Sequence, residues 1–206
     1  INLLKWSIME KIILASNNSN KVREVKEILR DMNVEIVSMK EAGIDLDIEE
    51  NGTTFEENAL IKARAVCKLT GNITIADDSG LEVDYLDKQP GVYSARFMGH
   101  DTSYDIKNQA IIDKLKGVEG NDRSARFVAA IAAVFPDGKE LVTRGTMEGL
   151  IAREPAGENG FGYDPIVYIP EYGCCSAQLS PEEKNKISHR GKALRKMKEE
   201  LIQYIR

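Results

Sequence analysis

Two adjacent carboxylates, Asp77 and Asp78, follow a short apolar run in this sequence. Successive side chains of a strand point to opposite faces of a sheet, so we expect these two residues to have different roles. One would face a cleft as a metal ligand or general base, while the other would brace the following turn. The alternative is an Asx-type turn that only closes the strand.

The acidic segment D-I-E-E-N-G at residues 47–52 is a second source of carboxylate oxygens. Magnesium takes one or two protein carboxylates together with water and substrate phosphates, and this segment could supply such a ligand. Taken alone, the segment is more typical of a solvated loop. Lys62 lies within a helical pattern further on, where it is either a phosphate ligand or an ordinary surface lysine.

The loop S-N-N-S-N-K, Ser16–Lys21, follows an apolar run and precedes residues with helical spacing. A loop at a helix N-terminus offers unpaired backbone N–H groups and the positive end of the helix dipole to an anion. Lys21 would add a charge. The spacing is not that of a Walker loop, so it indicates either a generic phosphate site or a solvated turn with Ser19 or Asn20 as the helix cap.

Two segments near the C-terminus could complete a ligand site. Residues 154–165 carry three glycines, which permit close backbone approach, and two aromatic residues, Phe161 and Tyr163, either of which could stack on a flat ring. Residues 182–191 suit a phosphate or a base carbonyl through Lys184, Lys186, His189 and Arg190. Each segment alone could be an ordinary loop or a charged helix end. Together with the carboxylates and lysines, they predict a nucleoside triphosphate site.

The elements that position these residues follow from hydrophobic periodicity and capping signals. The predicted strands are residues 12–15, 34–37, 73–76, 126–135, 140–147 and 166–168. The predicted helices are residues 22–32, 53–69, 103–115 and 188–204. Strands alternate with helices early, and an antiparallel hairpin follows around the turn at 136–138. This order predicts an α/β fold, with a mixed sheet and helices on its faces.

Composition limits the class of protein. The chain has 206 residues, of which 42% are hydrophobic, and a chain of this size can bury a core without disulfides or structural metal. A net charge of −5 lacks the positive excess of a general nucleic-acid binder, and no apolar run approaches the ~20 residues of a membrane span. Three cysteines without C-x-x-C spacing predict a reduced, cytoplasmic setting.

The domain is expected to begin at Met9. Residues 1–8 contain a lysine between short apolar stretches and lack the pattern of a signal peptide. We therefore interpret residues 1–8 as an N-terminal extension or an expression remnant, and residues 9–206 as a single domain.

Six ordered motifs resemble those of the inosine triphosphate pyrophosphatase family, the XTP/dITP diphosphatases that remove deaminated purine nucleotides. The motifs are S-N-N-S-N-K, F-E-E-N-A-L-I-K-A, A-D-D-S-G-L-E-V-D, P-G-V-Y-S-A-R-F, R-E-P-A-G-E-N-G-F-G-Y-D-P and S-H-R-G-K-A-L. They extend from Ser16 to Leu194. The resemblance implies a long mixed β-sheet flanked by helices, two lobes with the active site in the groove between them, and a homodimer.

The resemblance also implies residue roles. Asp78 is expected to be the catalytic proton acceptor and, with Glu49, a ligand of Mg²⁺. The residues expected to bind substrate are Ser16, Asn17, Asn18, Ser19, Asn20, Lys21, Lys62, Ser79, Phe161, Gly162, Tyr163, Asp164, Lys184, His189 and Arg190. The first loop has Ser-Asn-Asn where many relatives have Thr-Gly-Asn. The residues before Gly52 also depart from the usual pattern, which leaves Glu50 as the alternative metal ligand.

The activity implied is hydrolysis of ITP, dITP and XTP to a monophosphate and pyrophosphate, which cleanses the nucleotide pool. Mg²⁺ would neutralise the polyphosphate while Asp78 orients or deprotonates water. A Maf-like nucleotide pyrophosphatase is one alternative, but such proteins carry an arginine pair where this chain has Asn20 and Lys21. The other alternative is a nucleotide-binding regulator without turnover, and the presence of Asp78, Glu49 and the candidate lysines argues against it.

Overall fold

A computed structural model describes residues 9–205, in which a seven-stranded sheet is flanked by five α-helices. The strands are β1 (Glu10–Leu14), β2 (Val34–Ser38), β3 (Ile73–Val83), β4 (Ser124–Val134), β5 (Glu140–Ile151), β6 (Val167–Ile169) and β7 (Cys174–Cys175). The helices are α1 (Ser19–Ile28), α2 (Phe55–Thr70), α3 (Tyr104–Lys114), α4 (Pro181–Ile187) and α5 (His189–Leu201). The segment 1–8, interpreted above as an extension, lies outside the described residues.

The sheet is mixed, as predicted. Its strand order is β2-β1-β3-β4-β5-β6-β7, with β1 parallel to both β2 and β3 and the remaining neighbours antiparallel. The pairing of β1 with β3 ends where Leu14 meets Ile75. β3 continues to Val83, and within the described part of the chain no strand pairs with this edge of β3 between Ile75 and the bridge of Glu82 with Pro90. This open edge is where the groove of the molecule begins.

The prediction that β3 ends at Ala76 is wrong, and so is the turn expected at D-D-S-G. The strand continues because the whole motif pairs with β4, where Asp77 lies opposite Ile131 and Asp78 lies opposite Ala130. Two aspartates followed by serine and glycine resemble a turn locally. Here, both carboxylates find cationic partners on neighbouring helices, so tertiary contacts override the local preference.

The long strands β3, β4 and β5 connect two packed regions. At one end, α1 and α5 cover one face of the sheet around Ile75 and Leu194, while α2 covers the other face around Ala63. At the far end, α3 packs against the same strands around Leu81 and Phe127. The two regions are the two lobes that the family resemblance implied, with the groove between them. Among residues 9–205, the helices are too short or too polar to cross a membrane.

Local signals define α2, the helix that carries Lys62. Thr54 caps its N-terminus, where its Oγ1 accepts a hydrogen bond from the Glu57 N–H. The Glu57 carboxylate in turn accepts a hydrogen bond from the Thr54 N–H. Gly71 ends the helix with a φ of 66°, a left-handed conformation that favours glycine. Both ends of α2 agree with the prediction. The capped helix fixes the position of Lys62 beside β3.

Candidate active site

A cavity of about 390 Å³ lies in the groove at the open edge of β3. Most of the predicted site residues line it, namely Ser16, Asn17, Asn18, Lys21, Lys62, Asp78, Ser79, Phe161, Gly162, Tyr163, Asp164, Lys184, His189 and Arg190. Ser19 and Asn20, in the first turn of α1, and Glu49 are not part of its lining. The fold thus brings together residues from both ends of the sequence.

Asp77 and Asp78 both reach this cavity although their side chains leave β3 on opposite faces. The partners of Asp77 come from α1 and α5, and the partner of Asp78, Lys62, comes from α2. One cavity can meet both faces because no strand covers the edge of β3 at this point. Lys62 uses that edge directly, since its Nζ donates to the backbone carbonyl of Asp77 at 2.8 Å.

Six charged side chains on one face of the sheet form what we term the buried ion network. Its members are Lys21, Glu24, Asp77, Asp164, Lys184 and Arg190. Arg190 Nε donates to Asp77 Oδ2 at 2.7 Å, and its Nη1 donates to Glu24. Lys184 Nζ donates to Asp164 Oδ2 at 2.6 Å, and Lys21 Nζ lies 2.6 Å from Asp77 Oδ1. Three cations thus meet three anions.

The pKa values of this network follow from its charge balance. Burial alone would raise the pKa of Asp77, but Arg190 and Lys21 outweigh it and hold that pKa well below its ordinary value. Burial lowers the pKa of Lys21, and Asp77 opposes that effect only in part. A buried charge needs both a partner and hydrogen bonds, and Asp77 has both, since Ser79 Oγ also donates to it at 3.0 Å. Asp77 is therefore a permanently charged centre of the network.

On the opposite face, three residues form what we term the open cluster, Glu50, Lys62 and Asp78. Lys62 forms an ion pair with Glu50 and lies 3.5 Å from Asp78 Oδ1. Asp78 Oδ2 is buried and has no hydrogen-bond partner among the described residues. Burial outweighs the attraction of Lys62 and raises the pKa of Asp78. The open cluster therefore contains an unsatisfied acceptor on a carboxylate of increased basicity.

Of the two acidic residues considered as metal ligands, the structure places Glu50, the alternative, at the cavity, and not Glu49. Glu49 is exposed, whereas Glu50 lines the cavity and pairs with Lys62. The backbone here is extended, so alternate side chains face inward, and Leu46 and Ile48 line the cavity together with Glu50. The alternation of apolar and acidic residues in I-D-L-D-I-E-E is the sequence signal that identifies Glu50.

The loop Ser16–Lys21 satisfies much of its own backbone. Asn18, not Ser19 or Asn20, caps α1, and its Oδ1 accepts hydrogen bonds from the N–H groups of Asn20 and Lys21. The Asn18 N–H donates to Ser16 Oγ at 3.2 Å. The expectation that this loop offers unpaired backbone N–H groups is therefore wrong for Asn18, Asn20 and Lys21. Binding of an anion by this loop stays a prediction, which rests on the side chains that line the cavity.

The glycine-rich loop before β6 places one aromatic ring on the cavity. Phe161 is partly exposed there, and the Lys184 Nζ lies 5.0 Å from the centre of its ring. Tyr163 is buried instead, and its hydroxyl donates to the Ser94 carbonyl at 2.6 Å. Asp164 is also a structural anchor, since its Oδ2 accepts from the Phe161 N–H at 2.9 Å. Of the two candidate aromatics, Phe161 is the one available to stack on a flat ligand.

His189 is held neutral beside the buried ion network. Its ring stacks on Phe127 with centroids 4.9 Å apart, and burial, reinforced by Arg190 and Lys184, holds its pKa well below the ordinary value. His189 Nδ1 is buried without a hydrogen-bond partner among the described residues. A neutral imidazole with a free nitrogen can donate to or accept from a ligand. The roles of His189 and Arg190 toward a base stay predictions.

Among the residues of the site that were not predicted, two carry charges that matter to its electrostatics. Glu24 lies in α1 and joins Arg190 to Lys184, and Arg96 lines the cavity near Glu50. Nothing local distinguishes Glu24 from the other acidic residues of its helix, because its partners come from the end of the chain. Arg96 belongs to the motif P-G-V-Y-S-A-R-F, which contributed to the resemblance without any assigned role.

Sequence comparisons place the chain among named relatives. The profile of the Ham1 family matches residues 12–200. A Clostridium perfringens protein named dITP/XTP pyrophosphatase is 48% identical over 199 residues, which cover 94% of this chain and 98% of that protein. A Bacillus subtilis protein of the same name is 46% identical over 190 residues, which cover 92% of this chain and 96% of that protein.

Solved structures show the same similarity. A HAM1 protein from Coxiella burnetii superposes with a TM-score of 0.86 at 44% identity, covering 95% of this chain and 100% of that chain. A nucleoside-triphosphatase or dITP/XTP pyrophosphatase from Mycobacterium abscessus gives a TM-score of 0.74 at 43% identity, covering 91% and 98%. The match spans both lobes and the groove, so the expectation drawn from the six motifs is confirmed: the chain belongs to the Ham1 family.

Proposed function

We propose that this chain hydrolyses the deaminated purine nucleotides ITP, dITP and XTP to a nucleoside monophosphate and pyrophosphate. The observation that carries the proposal is one cavity lined by two chemically different sets of residues. The open cluster suits a phosphate chain, and Phe161 and His189 suit a purine ring. The names of the relatives in C. perfringens and B. subtilis support the same substrates.

Asp78 is the proposed general base. Its raised pKa makes it a better proton acceptor than an ordinary carboxylate. In this mechanism, water loses its proton to Asp78 and attacks the α-phosphorus, and pyrophosphate leaves. Lys62 and Lys21, which line the same cavity, hold the phosphate oxygens in line for attack.

Magnesium fits the open cluster. Asp78 and Glu50 offer the hard carboxylate oxygens that this ion prefers, and Asp78 Oδ2 is a buried acceptor without a partner among the described residues. Residues 9–205 contain no group of three or more acidic, histidine or cysteine side chains able to hold a metal, so phosphates and water would complete the coordination. When bound, Mg²⁺ would neutralise charge on the polyphosphate and on the leaving pyrophosphate.

The proposed choice of base rests on the hydrogen-bonding groups around Phe161. Hypoxanthine and xanthine present a carbonyl at C6, whereas adenine presents an amino group there. A donor that pairs with the C6 carbonyl has no acceptor when adenine is bound. Such a mismatch can lower kcat/KM for the analogue by ~10⁴–10⁵-fold. ATP is therefore expected to be a very poor substrate. Stacking on Phe161 should favour all purines alike.

A substrate panel with product identification tests the proposal. ITP, dITP and XTP should be hydrolysed with magnesium far faster than ATP, GTP or the pyrimidine triphosphates. Hydrolysis in ¹⁸O-labelled water should place the label in the monophosphate, because attack is at the α-phosphorus. Label in pyrophosphate would contradict the direction of attack, and equal rates for ITP and ATP would contradict the base preference.

We infer, as further proposals, a homodimer in the cytoplasm. The family resemblance supports the dimer, and the three free cysteines, Cys67, Cys174 and Cys175, are compatible with a reducing compartment. Light scattering coupled to size-exclusion chromatography tests the dimer. Fractionation of the source cells tests the compartment.

A further inference from the structure

The short 3₁₀-helix Gly91–Arg96 is fixed rigidly against β3, next to the open cluster. Ser94 Oγ accepts a hydrogen bond from the Leu81 N–H at 2.8 Å and donates to the Gly91 carbonyl at 2.6 Å. The Tyr163 hydroxyl donates to the Ser94 carbonyl, and the buried Lys107 Nζ donates to the Ala95 carbonyl at 2.7 Å. Four hydrogen bonds thus fix the backbone immediately before Arg96.

Arg96 is exposed and reaches across the mouth of the cavity. Its Nη2 donates to the backbone carbonyl of Glu50 at 3.0 Å, and its guanidinium carbon lies 5.3 Å from the centre of the Tyr93 ring. The guanidinium is therefore held beside the residue whose carboxylate belongs to the open cluster. This position is beside the open cluster, the part of the cavity assigned to phosphates.

The charges of the cavity single out Arg96. Lys21, Lys184 and Arg190 are balanced within the buried ion network, and Lys62 faces two carboxylates in the open cluster. Within the described part of the chain, Arg96 forms no ion pair and bonds only a backbone carbonyl. An arginine offers five N–H donors in a planar fork suited to phosphate oxygens, and most of those donors remain available here.

We propose that Arg96 binds the terminal phosphates of the triphosphate substrate and the pyrophosphate that leaves. The proposal rests on the proposed function and names a further residue of the same site. Arg96 supplies the positive charge that the open cluster lacks, because Glu50 and Asp78 outnumber Lys62. The four hydrogen bonds fix the backbone from which Arg96 extends, and the Glu50 carbonyl and the Tyr93 ring hold its guanidinium before substrate arrives. This reduces the entropy lost on binding.

Arg96→Gln tests the proposal through the binding of inorganic pyrophosphate, measured by calorimetry with magnesium. A charge-assisted contact to phosphate should be lost, so we expect the affinity for pyrophosphate to fall about tenfold or more, with a similar rise in KM for ITP. The affinity for IMP, which lacks the terminal phosphates, should change by less than about twofold. Arg96→Lys keeps the charge without the planar fork and should recover part of the loss.

Arg64→Gln is the matched control. Arg64 pairs with Glu140 at 2.6 Å, does not line the cavity, and its substitution changes the net charge equally. Unchanged pyrophosphate affinity in Arg96→Gln would overturn the proposal, and so would an equal loss of IMP and pyrophosphate affinity, which indicates a distorted cavity. A wild-type protein that binds pyrophosphate but does not hydrolyse ITP would instead contradict the proposed function, so the two failures are distinguishable.

Discussion

Asp77 and Asp78 are neighbours in one strand, yet they lie in opposite electrostatic surroundings. Asp77 is saturated, with Arg190, Lys21 and Ser79 on its two oxygens and a pKa well below its ordinary value. Asp78 has one cationic partner, Lys62 at 3.5 Å, one oxygen without a partner among the described residues, and a raised pKa. Both are buried, so exposure does not explain the contrast.

The difference shows what separates a structural carboxylate from a reactive one. The buried ion network fixes the position of the helices around the groove, because each charge would be costly to leave alone. The open cluster keeps an acceptor free, at some cost in stability, and such a group is suited to accept a proton or a metal ion. Substitutions that treat the two aspartates identically should therefore have different consequences.

Asp78→Asn should produce the largest effect on activity. The substitution keeps the size of the side chain but removes the proton acceptor, so turnover of ITP should fall by ~10²–10⁴-fold. Nucleotide binding should persist, and stability should not fall, because a poorly paired buried charge is removed. Steady-state rates together with thermal unfolding measure both quantities. A variant with nearly wild-type turnover would exclude Asp78 as the general base.

Asp77→Asn should instead produce the largest effect on stability. Arg190 and Lys21 would lose their shared carboxylate, and the network would carry an unbalanced positive charge. Such a loss typically costs ~3–5 kcal/mol in the free energy of unfolding. Urea unfolding of the two asparagine variants under identical conditions measures the contrast. If Asp77→Asn and Asp78→Asn unfold at the same urea concentration, the distinction between the two surroundings is not energetic.

Gly80→Ala tests how closely the Gly91–Arg96 helix must approach β3. A Cβ at residue 80 would lie 2.4 Å from the Gly91 carbonyl oxygen and 2.5 Å from Ser94 Oγ. The helix must shift, so we expect a loss of ~1–3 kcal/mol in stability. KM for ITP should also rise, as is expected for Arg96→Gln. Unchanged stability and KM would show that the groove tolerates this displacement.

The smallest expected effect is a pH dependence that originates from His189. Its pKa is well below the ordinary value in the folded protein, so the folded state stays neutral where the unfolded chain takes up a proton. Stability should therefore fall as the pH drops below about 6.5, by at most ~1.4 kcal/mol per pH unit.

His189→Asn should remove this part of the pH dependence. The free energy of unfolding of wild type and variant, measured by urea between about pH 7 and pH 5, gives the two slopes. Parallel slopes would mean that His189 has the same pKa in the folded and the unfolded protein. The buried ion network would then tolerate an additional positive charge.

The sequence predicts this fold where local chemistry determines the structure. Ser103 caps α3, Thr54 caps α2 and Gly71 ends it, because each position depends only on residues within one turn. The hairpin of β4 and β5 follows from two apolar runs around a turn. The six motifs locate most of the cavity lining because they include its residues directly.

The remainder depends on contacts that local patterns do not contain. The passage of β3 through D-D-S-G requires cations from α1, α2 and α5, and the choice of Glu50 over Glu49 requires the inward face of an extended segment. Arg96 shows the same limit, since its relevance comes from the charges of residues elsewhere in the chain. For these residues, only the assembled groove reveals the role.

The buried ion network also has a consequence for how the protein matures during synthesis. Glu24 and Arg190 are separated by 166 residues, and Asp77 and Arg190 by 113. A nascent chain that has made α1 and β3 but not α4 and α5 has only Lys21 to pair with Asp77 and lacks both cationic partners of Glu24, so its groove lacks one wall. Contacts of such long sequence separation carry the entropic cost of loop closure before they stabilise the fold. We expect the docking of α5 to complete the wall of the groove.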